Sequence, residues 1–410
     1  MKYLGCILTI CLLLACGSKK QPEKATNNLA TLADSLAQRY LIVDGHVDLP
    51  YRLRVKNFRL EREYLGIPLQ TDDGDFDYER ARSGGLDAPF MSIYIPSSYQ
   101  ESGGAKELAD SLIDMVSGIA QAHPNKFAIT TSPSQLVPNQ EKGIISLPMG
   151  MENGAPIGDE LDNVNYFHER GIRYITLTHA TDNQISDSSY DSTRTWKGLS
   201  PFGEQVVRRM NQVGIMVDIS HVSDQAFFDV MELTDVPVIA SHSSARRYTP
   251  GFERNMSDEM IERLARNNGV IMINFGTDFL DGTMSNHNDS LRTHFNEQLE
   301  QSEIDRELDS LAYEEFVELF QAENPRLFAD VETVADHIEH VVHLAGVEHV
   351  GLGSDFDGVG DSLPTGLKDV TAYPNLIHVL LKRGYSPEDI EKICSGNLIR
   401  VWRAVEAAAD

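Results

Sequence analysis

Residues 40–50 read YLIVDGHVDLP, and their reading decides the fold. Leu41-Ile42-Val43 is a short apolar run with the β-branched content of a buried strand. His46 and Asp48 follow, two positions apart. In extended chain, residues i and i+2 share a face, so an imidazole and a carboxylate project together beside the end of a buried strand. A protein offers two ligands to one divalent metal in this way. Alone, His-x-Asp is a weak signal, because a polar strand end at the surface reads the same. The rest of the chain gives it weight.

The same pattern recurs eight times: a short apolar run ends in polar residues, then an amphipathic stretch follows. The runs are 41–44, 89–95, 143–149, 174–178, 214–219, 236–240, 269–275 and 349–353. The stretches between them include 107–122, 201–213, 223–233, 257–267 and 331–345, with Gly214 and Gly346 as helix stops. Val- and Ile-rich strands alternating with helices argue for parallel βα units. Eight such units predict a (β/α)8 TIM barrel, an α/β fold. A doubly wound sheet is the competing architecture, but no Gly-x-Gly-x-x-Gly turn follows the first run. Two connections are long. Residues 50–88 hold a turn-rich piece and a helix over 76–82. Residues 277–330, after the seventh run, form an acidic helical insertion with Leu308, Leu311, Phe316, Leu319 and Phe320 on an apolar stripe. The insertion is expected to form part of the pocket rim, a contact between two copies in a homodimer, or both.

Of the 410 residues, 41% are hydrophobic and 24% charged, as in a globular protein. A formal net charge of −27 excludes nucleic acid as a natural partner. Lys2, the apolar stretch 4–15 and Leu13-Leu14-Ala15-Cys16 resemble a bacterial lipoprotein signal, with residues 1–15 removed and Cys16 carrying lipid. Residues 16–37 then read as a polar tether and 38–408 as one catalytic barrel. The expected location is the bacterial cell envelope, anchored by lipid and facing the periplasm. Cys6 and Cys11 leave with the signal, so Cys394 has no partner and no disulfide framework exists.

Barrel active sites lie at the C-terminal ends of the strands. There the sequence places His46 and Asp48, Glu152, His179, His221, His242 and Asp355. Six of eight ends carrying a ligand-type residue is far from chance in a chain with 13 His. Seven such groups exceed the three protein ligands of a mononuclear catalytic zinc, which suggests two metals. Glu152 is the candidate bridge, because it lies between the first pair and the later histidines.

The motifs DGHVDLP (44–50), GMEN (150–153), LTHATDN (177–183), DISHVS (218–223), SHSSAR (241–246), Arg254-Asn255 and GLGSDFDG (351–358) together resemble the renal (membrane) dipeptidase family of zinc peptidases. The resemblance spans nearly all of the mature chain. It implies two Zn2+ ions, one held by His46, Asp48 and Glu152, the other by Glu152, His221 and His242. It implies that His179 stands near the substrate carbonyl, that Arg254 holds the substrate carboxylate, and that Asp355 is the catalytic aspartate. The implied activity is hydrolysis of dipeptides by a bridging hydroxide. Arg246 and Arg247 compete with Arg254, and Asp357 competes with Asp355, since a two-residue shift keeps the strand face. Asn255 and Asn274 read as supporting residues. The insertion 277–330 is longer than the family leads one to expect. Other readings are a related metal amidohydrolase acting on N-acyl amino acids or other small amides, and a non-catalytic binding lipoprotein.

Overall fold

The computed structural model describes residues 23–55, 68–302, 304–305 and 309–409. The leader, Cys16 and Leu308 lie outside them. Ten strands are present among the described residues: β1 (Ile42–Val47), β2 (Leu86–Tyr94), β3 (Phe127–Ile129), β4 (Ile145–Leu147), β5 (Met149–Glu152), β6 (Ile172–Thr176), β7 (Met216–Asp218), β8 (Ile239–Ser243), β9 (Val270–Ile273) and β10 (Val350–Leu352). Eight of them close a parallel barrel in the order β1-β10-β9-β8-β7-β6-β5-β2. The expected (β/α)8 barrel is the observed fold.

The run at 143–149 is resolved differently from its reading. Pro148 divides it. The part before Pro148 is β4, which pairs with β3 in a separate two-stranded sheet, and the barrel strand is β5. Proline has no N–H for a ladder, so the chain changes sheets there. Its carbonyl is still used, accepting from Met91 N at 2.8 Å.

Two apolar clusters fill the protein. The larger lies between strands and outer helices. The smaller fills the barrel and includes Val43, Phe90, Tyr174, Met216, Met272 and Trp402. The last helix, Asn397–Ala407, carries Trp402 into the barrel floor. Above it a column rises: Trp402 and Phe90 have ring centroids 5.2 Å apart, Phe90 and Tyr174 5.4 Å. Gly150 leaves room for this column, because a Cβ there would stand 1.9 Å from the Tyr174 ring.

A helix spans Glu23–Arg39 where a tether was expected through residue 37. Its Ala33, Leu36 and Ala37 are buried, and it packs on the helix Tyr373–Lys382. The barrel domain therefore recruits chain that its polar composition disguised. The insertion is helical, with Thr277–Leu280, Gly282–Ser302 and Ser310–Glu323. Its expected apolar stripe is only partly internal. Phe320 is buried against Phe295, whereas Leu311 and Leu319 are exposed. Among the described residues, no helix is long and apolar enough to cross a membrane.

His337, on the helix Val331–Ala345, fastens the insertion to the barrel. Its Nδ1 accepts from Ala245 N at 3.1 Å, so its Nε2 carries the proton and donates to Leu280 O at 2.9 Å. Burial pushes its pKa from 6.5 to about 4. The unfolded chain therefore takes up this proton before the folded one does. Stability is complete above pH 6.5 and is lost as the pH falls toward 4. Urea unfolding should show roughly 2 kcal/mol lost between pH 6.5 and 5 through this group. His337→Gln should flatten that slope, and an equal slope in both proteins would refute the assignment.

Candidate metal centre

Glu152, the last residue of β5, is buried at the mouth of the barrel. Its Oε2 lies 3.3 Å from His46 Nε2 and accepts from Ser92 Oγ at 3.1 Å. Its Oε1 lies 3.1 Å from His221 Nε2, 3.4 Å from His242 Nε2 and 3.5 Å from His179 Nε2. One carboxylate thus faces four imidazoles, one through Oε2 and three through Oε1. Asp48 Oδ2 is 3.4 Å from His46 Nε2. Three overlapping groups have ligand-type atoms within 4.8 Å of one another: His46, Glu152 and His242; Glu152, His179 and His221; His46, Asp48 and Asp355.

The chemistry of this donor set fits a cation. His46 Nε2 and Asp48 Oδ1 are buried without a hydrogen-bond partner, and His221 Nε2 faces His242 Nε2 at 2.9 Å. Hydrogen bonds behind the rings turn the lone pairs inward. Ser241 Oγ donates to Asp218 Oδ2 at 2.6 Å, so it accepts from His242 Nδ1 at 2.8 Å and leaves His242 Nε2 bare. Tyr174 OH meets His46 Nδ1 at 2.8 Å. Burial, and then Arg254 for His221 and His46 for His242, hold both pKa values well below 6.5, in the neutral, ligating form. His46 differs. Burial pushes its pKa down, but Tyr174, Glu152 and Asp48 together raise it well above 6.5. A proton on His46 and a metal ion answer the same negative field.

Strand ends place these groups through unusual backbone. Asn153 (φ 81°), His221 (68°), Asp355 (63°) and Asp357 (66°) are left-handed. Such conformations cluster at functional sites, where surrounding structure must hold them. Two buried aspartates do so. Asp218 Oδ1 accepts from Ser220 N at 3.0 Å and Ser241 N at 2.8 Å, joining the ends of β7 and β8. Asp44 Oδ1 accepts from His46 N and Ser354 N, both at 3.0 Å, joining β1 to the turn after β10.

The chain matches the family model described as membrane dipeptidase (Peptidase family M19) over residues 31–410. The chain belongs to this membrane dipeptidase family. An uncharacterized dipeptidase of Schizosaccharomyces pombe is 31% identical over 377 residues, covering 89% of this chain and 81% of the relative. Among solved structures, the probable dipeptidase PvdM from Pseudomonas aeruginosa superposes with a TM-score of 0.76 at 26% identity, covering 93% of this chain and 100% of that one. A dipeptidase AC, described as a metallo peptidase of family M19, gives a TM-score of 0.72 at 26% identity, covering 89% and 98%. This protein is a metal-dependent dipeptidase.

In this dipeptidase the site residues named from sequence converge, with Arg254 just behind them. A cavity of about 600 Å3 opens over the centre, lined by Asp48, Glu152, His179, His221, His242 and Asp355. Burial raises the Asp355 pKa to about 7, and its Oδ2 accepts from Asn274 Nδ2 at 2.7 Å. The competitors are otherwise engaged. Asp357 pairs with Arg52 at 2.9 Å and accepts from Asp75 N at 2.7 Å. Arg246 chelates Asp224, and Arg247 lines a separate surface cavity. Arg254 is buried beside Phe279, donating to Ser243 Oγ at 2.7 Å and His242 O at 2.8 Å. Its Nε has no partner, and no carboxylate among the described residues pairs with it.

Sequence reasoning missed the cavity's Tyr51, Tyr94, Tyr190, Asp278 and Phe279. Tyr94 was within reach of the rule that found the others, since it closes the second strand. Its ring stands edge-on to His179 at 4.8 Å. A phenol is not a first choice of metal ligand, so this strand end does not stand out beside those that close in His, Asp or Glu. Asp218 likewise sat in the quoted motif without a role. Asp218→Ala strands two amides and two hydroxyls, and should lower stability by about 2–4 kcal/mol. It should also weaken metal affinity roughly 10–100-fold, by releasing the His242 ring. Urea midpoints together with metal titration check both, and unchanged affinity would mean that Asp218 serves the fold alone.

Proposed function

We propose that this dipeptidase works with two zinc ions that share Glu152. The observation that carries the reading is the division of its carboxylate: Oε2 faces His46, which Asp48 also meets, and Oε1 faces His221, His242 and His179. Two metals about 3.5–4 Å apart are commonly bridged in this way. When bound, such ions lower the pKa of water and act as Lewis acids toward an amide carbonyl.

The chain's own residues supply the rest. Asp355, lining the cavity with Glu152 and steadied through Oδ2 by Asn274, is placed to take a proton from water and return it to the leaving amine as the C–N bond breaks. His179 is the most open of the four imidazoles, its side chain 19% exposed against 6% for His221 and 1% for His242. That position supports a role at the substrate, donating an N–H to the carbonyl oxygen as negative charge develops. Burial, the largest influence on it, lowers its pKa, and the neutral ring keeps one N–H to give. Arg254 is assigned to the free C-terminal carboxylate, which restricts the substrate to short peptides. Its unpartnered Nε supports this role.

Elemental analysis of purified protein should find close to two zinc equivalents. Glu152→Gln should lose most of both and nearly all activity, because one carboxylate serves both sites. One tightly held ion in the wild type would sink the two-metal reading. Asp355→Asn should fold, retain its metals and bind substrate, while kcat falls about 10²–10⁴-fold. Near-native kcat in a metal-replete variant would remove Asp355 from the reaction.

We also assign Cys16 as the lipid-bearing residue that anchors the enzyme to the bacterial envelope, facing the periplasm. The Leu13-Leu14-Ala15-Cys16 run supports it. Each buried lipid CH2 contributes about 0.8 kcal/mol of membrane affinity. Cys16→Ser should therefore move the enzyme from the membrane to the soluble fraction with its kcat intact. A variant that stays with the membrane would refute the anchor.

A further inference from the structure

Five carboxylates line the catalytic cavity: Asp48, Glu152, Asp278, Asp355 and Asp357. Four of them have work within the protein. Glu152 and Asp48 face imidazoles, Asp355 is held by Asn274, and Asp357 pairs with Arg52. Asp278 does not. Its Oδ1 has no hydrogen-bond partner, and no Lys, Arg or His among the described residues lies within ion-pair distance of it. Arg326 and Arg292 act on Asp278 only from beyond ion-pair distance, Arg292 pairing with Asp289 and Arg326 lying over the Phe328 ring.

The segment that presents Asp278 is fixed on every side. Gly276 N donates to Asn274 Oδ1 at 2.7 Å. Thr277 N and Oγ1 both donate to Ser362 O, at 2.8 and 2.5 Å. Asn255 Nδ2 donates to Phe279 O at 2.8 Å, and His337 Nε2 to Leu280 O at 2.9 Å. Adjacent Phe279 lies 5.3 Å from the Arg254 guanidinium. A carboxylate held this firmly in a substrate cavity, with a neutral amide but no paired cation beside it, is preorganised for a charge that the protein does not supply at contact distance. A partly buried carboxylate gains from a cation more than an open one does, since water screens it less.

We propose that Asp278 is a specificity residue that selects dipeptides whose C-terminal residue bears a positively charged side chain. The proposal rests on the dipeptidase reading with Arg254 as the carboxylate clamp. That clamp puts the C-terminal residue beside Phe279, and hence beside Asp278. The insertion after β9 thereby contributes to substrate choice through its first turn.

The test compares kcat/KM for Ala-Lys, Ala-norleucine, Ala-Glu and Lys-Ala with the metal-loaded enzyme and with Asp278→Asn. Norleucine matches the lysine chain without its ammonium. The wild type should prefer Ala-Lys over Ala-norleucine by about tenfold, equivalent to about 1.4 kcal/mol. It should disfavour Ala-Glu. In Asp278→Asn the Lys/norleucine ratio should fall to within about twofold. If that variant folds poorly, the wild type alone still decides, since 1 M salt shortens the screening length to about 3 Å and should compress the ratio. An equal ratio in both proteins, or one indifferent to salt, overturns the proposal. A preference for Lys-Ala over Ala-Lys overturns it by placing the charge at the other residue. A uniform loss on all four substrates overturns it by assigning Asp278 to the α-ammonium or to the fold. Failure of the wild type on every dipeptide would be a different result, removing the dipeptidase reading and the proposal with it.

Discussion

A carboxylate taken out of water must be met by positive charge or by donors. Glu152 is deeply buried, and four imidazoles and a serine hydroxyl meet it. Burial would raise its pKa, yet His46 and His179, with the adjoining rings of His221 and His242, hold it well below the ordinary value. The carboxylate is therefore a fixed negative charge in a dry place. The rest of the barrel mouth is arranged around that charge. The column from Trp402 through Phe90 to Tyr174 fills the barrel beneath it and ends in the hydroxyl that orients His46.

The same local device positions the ligands twice. In Asp44-Gly45-His46 and Asp218-Ile219-Ser220, a buried aspartate accepts the amide two residues on, then an amide from the neighbouring strand end. The strand pairing breaks there, by a register shift between Asp44 and Val47 in β1 and by the end of β7 at Asp218, and the metal-type residues His46 and His221 lie two and three positions on. Gly358 completes the mouth. A Cβ at that position would lie 2.2 Å from both Asp355 Oδ1 and Asp48 Oδ2, so only glycine lets the two carboxylates share the space.

Periodicity was enough to read the barrel, because parallel strands buried on both faces are written as unbroken apolar runs. The ligand set was legible for a related reason: each member terminates such a run. What stayed hidden depended on contacts rather than pattern. Pro148 moved the third strand by several residues, and only the pairing of β4 with β3 shows where the first half went. The helix Glu23–Arg39 is polar on average, and its three buried residues acquire meaning only against the helix at 373–382. Leu311 and Leu319 read as core by spacing but lie on the outer face of the insertion. Arg254 could be separated from Arg246 only by seeing that Asp224 already occupies the latter.

The closure of the barrel also dictates an order of events. Asp44 meets Ser354 across 310 positions and Tyr373 across 329. Contacts so distant in sequence are slow to form, since the loop they close must be ordered first. His46 and Asp48 come from the first strand and Asp355 from just beyond the last. A chain lacking the final strand therefore carries the ligands but not the closed mouth that sets them against one another. The finished arrangement of the mouth exists only once Val350–Leu352 has paired with the first strand.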